Sequence, residues 1–392
     1  SMRLKLLSLS ILALTAASLW GQQTAWEKEG QSWTRIDKGA GCNDPSRIKV
    51  VTSSRLVVVS ESRKNVSYTW KQQVNLPFNR DDAQRRLAGS SVRAYEQGGW
   101  CVVSTSGPDG QRQTSELIVA VPRRVQQCHL DSHTGSVTAK YLKADIVATT
   151  AAGNIEMDEI EGNVSARTGG GCMTFGSIKG SLRSLSGGGI IRVEKVTGEA
   201  VLETAGGDIT VEQAGSWLRL STAGNIHVGK AAQAVFAHTS GGLIEVGSSG
   251  GMVTAESGGG GIQIGSARGV RCESAGGSVR LKDVSGSVRA STATGHLYVT
   301  LSQAQALENS FLATGRGDIT VFVPSNMPVT VKALNESAGW MGRIISEFSE
   351  VQIQPREVGR NRPVAAQGAL NGGGPVLMLS ATGGTIYLKR SK

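Results

Sequence analysis

The stretch TAGGDITVEQAGSWLRLSTAGNIHV, Thr204–Val228, says nearly the same thing twice. TAGGDITV returns as TAGNIHV, with the weaker echo AGSWLRL between them. Such a glycine-rich phrase is either a loop that cradles a ligand or the corner of a repeating unit. The rest of the chain favours the corner.

Working outward, apolar-x-apolar triplets begin at Ile155, Met173, Ile191, Ile209, Ile226, Ile244, Ile262, Val279 and Leu297, each 17 or 18 residues after the last. Between them runs a second strand of the form V-x-A-x-[ST]: VSART from Val164, AVLET from Ala200 and VFAHT from Val235. It recurs as VTAES from Val253, VRCES from Val270 and VRAST from Val288. Alternation of period two marks a half-buried strand. Two such strands per coil cannot bury their apolar faces alone, so coils must stack and pair with those above and below. The expected fold is all-β, a parallel β-solenoid of the β-helix or β-roll type, with coils of about 18 residues and two short strands each. At ~4.8 Å per strand, nine or ten coils would make a rod roughly 45 Å long. Gly207, Gly224, Gly242 and Gly277 fall at the corners, where positive φ and close approach between coils are the two properties glycine offers.

The ends differ from the body. A strand-rich N-terminal region or cap is expected over 22–126. It contains the β-like runs RIKVVTSSRLVVVSE and SELIVAVP, a short helix at DDAQRRL and a hairpin at SVRAYEQGGWCVVST. The repeats span 127–300, and 301–392 holds irregular final coils and a C-terminal cap. Residues 1–21 read as a signal peptide: Arg3 and Lys5 precede an apolar run, Leu6 to Leu19, that is short for a membrane span. Cleavage is expected between Ser18 and Ala25, with no cysteine there to carry a lipid. The expected location is therefore outside the cytoplasm, whether periplasmic, outer-surface or extracellular, with no transmembrane segment in the mature chain.

The formal charge is +10, of which Arg3 and Lys5 carry two, so +8 remains after cleavage. That sign suits anionic polysaccharide or another cell-surface component, but no Lys/Arg tract concentrates it, and no nucleic acid is expected as a partner. Of five cysteines, Cys42, Cys101 and Cys128 lie in or beside the cap, where export would allow one pair among them. Cys272 takes the slot of Ala166, Ala255 and Ala290 and reads as a small core residue. No CxxC framework exists, and neither metal nor cofactor is expected.

These features in order resemble the bacterial β-strand-repeat family named "putative adhesin", a domain of unknown function. The resemblance rests on LIVAVP ahead of the turn at Gly135, the repeated G-[N/D/S]-[I/V] corners, TGRGDITVFVP and SATGGTIYL. It covers about Arg47 to Leu388. It implies a secreted or envelope-associated solenoid and supplies no catalytic residues.

For sites, the outward positions decide. The first sheet presents Glu156, Thr174, Arg192, Thr210, His227, Glu245, Gln263, Arg280 and Tyr298, in which no two carboxylates are adjacent, as a paired general acid and base would require. Glu256 and Glu273 neighbour each other on the second sheet with Arg271 close by, an arrangement expected to form a surface ion-pair cluster. The second sheet's other outward column runs Ser165, Arg183, Val201, Arg219, Phe236, Thr254, Arg271 and Arg289. Arg183, Arg219, Arg271 and Arg289, with Phe236, are the candidate binding residues for an anionic polymer, since guanidinium forks suit carboxylate and phosphate. HLDSH offers His129, Asp131 and His133 without an evident fourth ligand. GGGG at Gly258–Gly261 lacks the Lys-Ser/Thr of a phosphate loop. Arg316-Gly317-Asp318 spells an attachment tripeptide that chance explains in so Gly- and Arg-rich a chain. The expected function is non-enzymatic: adhesin-like surface binding or self-assembly. The alternatives are a polysaccharide lyase or hydrolase on the same scaffold, or an envelope-stress scaffolding partner.

Overall fold

A computed structural model describes residues 21–108, 110, 112–336, 343–354 and 364–392; the expected signal peptide lies outside them except for Gly21. The body is a parallel β-solenoid of about eleven sequential turns at roughly 18-residue spacing. One turn shows the construction. Strand Ile191–Val196 buries Ile191, Val193 and Val196, and strand Ala200–Thr204 buries Ala200, Leu202 and Thr204. Each pairs in parallel with its equivalent one repeat later, Ile191 with Ile209 and Leu202 with Leu220. Identical positions therefore stack in register: the inward columns through Ile191 and Val193 are continuous and apolar, while the one through Thr204 is a run of threonines and serines. Cys272 sits in one of these columns between Ala255 and Ala290, 3% exposed.

The corner that closes each turn explains the TxG spelling. Thr239 is fully buried, and its hydroxyl donates to the Gly224 carbonyl of the preceding coil at 2.6 Å while accepting from Gly242 N–H at 3.0 Å. The same donation recurs at Thr150, Thr168, Ser186, Thr204, Ser257, Ser274 and Thr292. The glycines serve a different purpose from the one backbone freedom suggests. Positive φ is not found at Gly207, Gly224, Gly242 or Gly277. A Cβ on Gly242 would lie 2.1 Å from the Gly224 carbonyl oxygen, and one on Gly207 2.3 Å from that of Gly189. Close approach of stacked backbones, not a left-handed conformation, demands glycine there.

A third device sits one residue later. Asn154 Oδ1 accepts from Cys172 N–H, Asp208 Oδ1 from Asn225 N–H and Asn225 Oδ1 from Leu243 N–H, all at 2.9 Å. Short polar side chains thus satisfy corner amides that the ladders leave open.

The solenoid runs past both ends of the 127–300 repeat, and it does so out of sequence order. Strands Arg47–Thr52 and Arg55–Glu61 pair in parallel with Gln127–Ser132 and Val137–Lys140 on one side. On the other side they pair in parallel with Trp100–Ser106 and Gln113–Pro122. At the far end, Val376–Ala381 and Thr385–Arg390 insert between the coil of Ser310–Arg316 and Ile319–Val323 and that of Val329–Asn335 and Arg343–Ser346. The cap adds an antiparallel sheet in which Ser32–Asn43 lies between Gln23–Glu29 and Asn65–Asn75. It also holds the expected helix, Arg80–Arg86, capped by the Asn79 side chain on Asp82 N–H, and the expected hairpin Ser91–Gln97 with Trp100–Ser106. Cys42 and Cys101 form the disulfide; Cys128 stays reduced and fully buried.

Candidate functional site

The register places the sequence-predicted binding residues on one line. Ser165, Arg183, Val201, Arg219, Phe236, Thr254, Arg271 and Arg289 pair rung to rung on the second sheet. The column also extends beyond what the repeat revealed. Val147, His129 and Lys49 continue it towards the N-terminal end. Phe311, Met378 and Lys332 continue it towards the C-terminal end. From Lys49 to Lys332 no position in it is a carboxylate. The last three escaped the sequence reading because an inserted strand breaks the rhythm there.

Two columns flank different chemistry. On the first sheet, Lys140 contacts the oppositely charged Glu156 at 2.7 Å, and the His227 ring lies 3.6 Å from Glu245. Arg280 lies over the Tyr298 ring at 5.2 Å. On the second sheet, among the described residues, none of Arg183, Arg219, Arg271 and Arg289 has a carboxylate within 4.0 Å. The ion-pair cluster expected around Glu256 and Glu273 is absent: the two glutamates are rung neighbours, but Glu256 lies instead 3.6 Å from His238. Their side chains sit two residues along the strand from Thr254 and Arg271, in the parallel column. Arg219 lies over the Phe236 ring at 5.5 Å, a cation–π contact on a ring 40% exposed. Arg271 and Arg289 occupy adjacent rungs, ~4.8 Å apart, where like charges repel. A small cavity of about 160 Å³ opens between them, bordered by Phe311, Glu256 and Glu273.

A shallow groove of about 910 Å³ follows the neighbouring outward column and its corner, from Asp131 and His133 past Arg167, Leu185 and Glu203 to Ser221. Its corner side is formed by Ala151, Gly169, Gly187 and Ala205, whose small size keeps it open. Column and groove run side by side along the rod axis.

Other motifs prove structural. The His129 and Trp100 rings lie tilted with centroids 4.4 Å apart and Arg47 covers Trp100 at 5.2 Å; among the described residues, His129, Asp131 and His133 form no group that could hold a metal ion. In Arg316-Gly317-Asp318, a Cβ on Gly317 would lie 2.1 Å from the Gly295 carbonyl, and Asp318 Oδ1 accepts from Thr385 N–H. That tripeptide is a corner. Gly258 and Gly260 pack against Ser240 and Gly242 of the coil below. Burial pushes the Cys128 thiol up to about 12, and raises that of Cys272 as well, so neither is a nucleophile. Cys172 is exposed and free.

No helix among the described residues is long and apolar enough to cross a membrane. No protein-family model and no curated protein matches the chain. Among solved structures, one described as a "putative cell adhesion protein" from Clostridium sporogenes aligns over 91% of this chain and 100% of its own, at 8% identity and a TM-score of 0.18. This chain is similar to that one at a level too low to carry an argument about fold or role.

Proposed function

We propose that the protein is a non-enzymatic β-solenoid of the bacterial envelope or extracellular space that holds an anionic polymer of the cell surface along its arginine column. The observation that supports this reading is the unbroken column from Lys49 to Lys332, without a carboxylate and with four arginines that lack ion-pair partners. A chain gains nothing in stability from stacking Arg271 on Arg289. A linear polyanion laid along the rod axis supplies the missing countercharge at the arginine rungs, and Phe236 and Phe311 offer apolar contact between charges. Exposed charge pairs are individually weak, ~0.2–1 kcal/mol each, so affinity would come from many rungs acting together.

The reading is tested by retention of the chain on immobilised alginate and heparin, with dextran as the uncharged control, at low and high salt. Binding to the polyanions that weakens steeply with salt is expected. Arg271→Ser with Arg289→Ser should weaken it about fivefold, equivalent to ~1 kcal/mol. Unaltered retention of that variant would remove the column from consideration. Appearance of new reducing ends or unsaturated sugars in the eluate would replace binding with polysaccharide cleavage.

A further inference from the structure

The N-terminal cap carries an apolar tip that nothing in the chain covers. Between the strand Asn65–Asn75 and the helix Arg80–Arg86, the backbone turns through Leu76, Pro77 and Phe78. Phe78 is 93% exposed and Leu76 55%. Burying a phenylalanine is among the larger apolar gains open to a fold, so a ring left almost wholly in water asks for a partner.

The surrounding chain holds the tip outward. Leu76 takes a left-handed backbone, φ 52°, which a bulky side chain rarely adopts. Just before it, Asn75 N–H donates to the Arg112 carbonyl at 2.9 Å. Just after it, Phe78 N–H donates to Asp82 Oδ2 at 3.2 Å, and Asn79 caps the helix. The turn is therefore fixed, while the cap's own apolar cluster of Val74, Ala83 and Leu87 closes without it. The rim is amphipathic. Half-buried Trp33 lies across the strand pair from Val74, with Lys28 opposite it on the other side and Arg80 over its ring at 5.8 Å. Lys28, Arg80 and Arg112 are exposed beside Asp81 and Glu29, whereas Asp82 is engaged by Arg86 at 2.9 Å.

We propose that this tip inserts into the surface of a bilayer that contains anionic lipid. A convex apolar tip offers a small molecule no enclosing wall, but acyl chains close around it. A tryptophan at its rim sits where headgroups meet hydrocarbon, and flanking lysine and arginine reach lipid phosphates. Free cations outnumber free carboxylates there, which selects anionic headgroups. The tip shares no residue with the arginine column, so the two sites stand or fall separately.

A polarity-sensitive fluorophore attached through Phe78→Cys, in full chain carrying Cys172→Ser, reports on the tip itself, whatever the Leu6–Leu19 run contributes to vesicle binding. Cys128 and Cys272 are buried and stay unlabelled. With vesicles of phosphatidylcholine and phosphatidylglycerol, emission should shift to the blue and be quenched by brominated acyl chains. The same fluorophore on Cys172 of the otherwise unaltered chain should show neither change. Leu76→Asn, whose side chain tolerates left-handed backbone, should raise the lipid concentration needed for half the shift about tenfold. Its melting temperature should stay the same or rise, whereas a turn with a purely structural role would lose melting temperature and keep its lipid response. Lys28→Ser with Arg80→Ser should abolish the preference for phosphatidylglycerol, and Arg271→Ser with Arg289→Ser should change nothing. Absence of any shift at the tip, which would leave it to a pocket on a partner protein, would overturn the proposal. Equal insertion into phosphatidylcholine alone, or undiminished insertion of the folded Leu76→Asn chain, would do so too.

Discussion

Thr239 and Gly242 show how much a single corner residue carries. The threonine hydroxyl both donates to the coil below and accepts from its own turn. Thr239→Val keeps the shape and leaves the Gly224 carbonyl and Gly242 N–H unsatisfied, so a loss of about 1–3 kcal/mol is expected from urea denaturation. Thr239→Ser, which keeps the hydroxyl, should lose well under half as much. Gly242→Ala should be the most damaging of the three, since its Cβ would meet backbone that cannot yield without parting two coils. The thiols give a second check at this scale. Cys128, pushed up to about 12, and Cys272, also raised, stay protonated across the neutral range, because a raised pKa favours the uncharged form until the pH exceeds it. Under native conditions at mildly alkaline pH, a thiol reagent detected by mass spectrometry should modify Cys172 and spare the other two.

At the level of elements, the ends are interleaved. The strands Val376–Ala381 and Thr385–Arg390 lie inside the stack and not at its tip. Truncation after Gly374 therefore removes the coil on which Val329–Asn335 and Arg343–Ser346 rest. Hydrogen exchange should then show protection lost in Val329–Asn335 and Arg343–Ser346 as well, while Ile191–Val196 and its neighbours keep theirs. Had the last strands been an outer coil, only their own protection would vanish. The N-terminal cap is closed covalently: the Cys42–Cys101 bridge spans a sequence separation of 59. In the chain-entropy treatment a loop of that size is worth ~4 kcal/mol. Replacing both cysteines by alanine should lower the stability of the cap by about that amount in denaturant. This segment-specific loss is possible because a solenoid's stability is largely a sum over neighbouring coils.

For the whole molecule, stacking of about eleven sequential turns, at ~4.8 Å each, gives a body roughly 50 Å long before the end coils are added. Small-angle scattering should return an elongated particle, and a spherical profile would contradict the stack. Continuous outward columns exist only because register is kept from coil to coil, which is also what places the four arginines on one line.

The sequence alone determined the body. Period-two alternation repeated every 17 or 18 residues leaves one way to bury each strand, so the inward columns, the core placement of Cys272 and the alignment of Arg183, Arg219, Phe236, Arg271 and Arg289 were legible in advance. Those features depend on neighbours one repeat away, and the repeat itself announces them. What only the tertiary structure decided depends on segments far apart in the chain. The order of the end coils, the choice of Cys101 over Cys128 as partner for Cys42, and the extension of the column to Lys49, Phe311, Met378 and Lys332 all arise from insertion of distant strands. The separation of Glu256 and Glu273 from the arginines, and the need for close approach instead of positive φ at Gly207, Gly224, Gly242 and Gly277, rest on distances that spelling does not encode. The buried Gln72, whose Oε1 has no hydrogen-bond partner, is the clearest case. Arg35, which faces it across the strand pair, is drawn instead to Asp37, Leu87 and Ser90, a competition settled only when three separate stretches of chain meet.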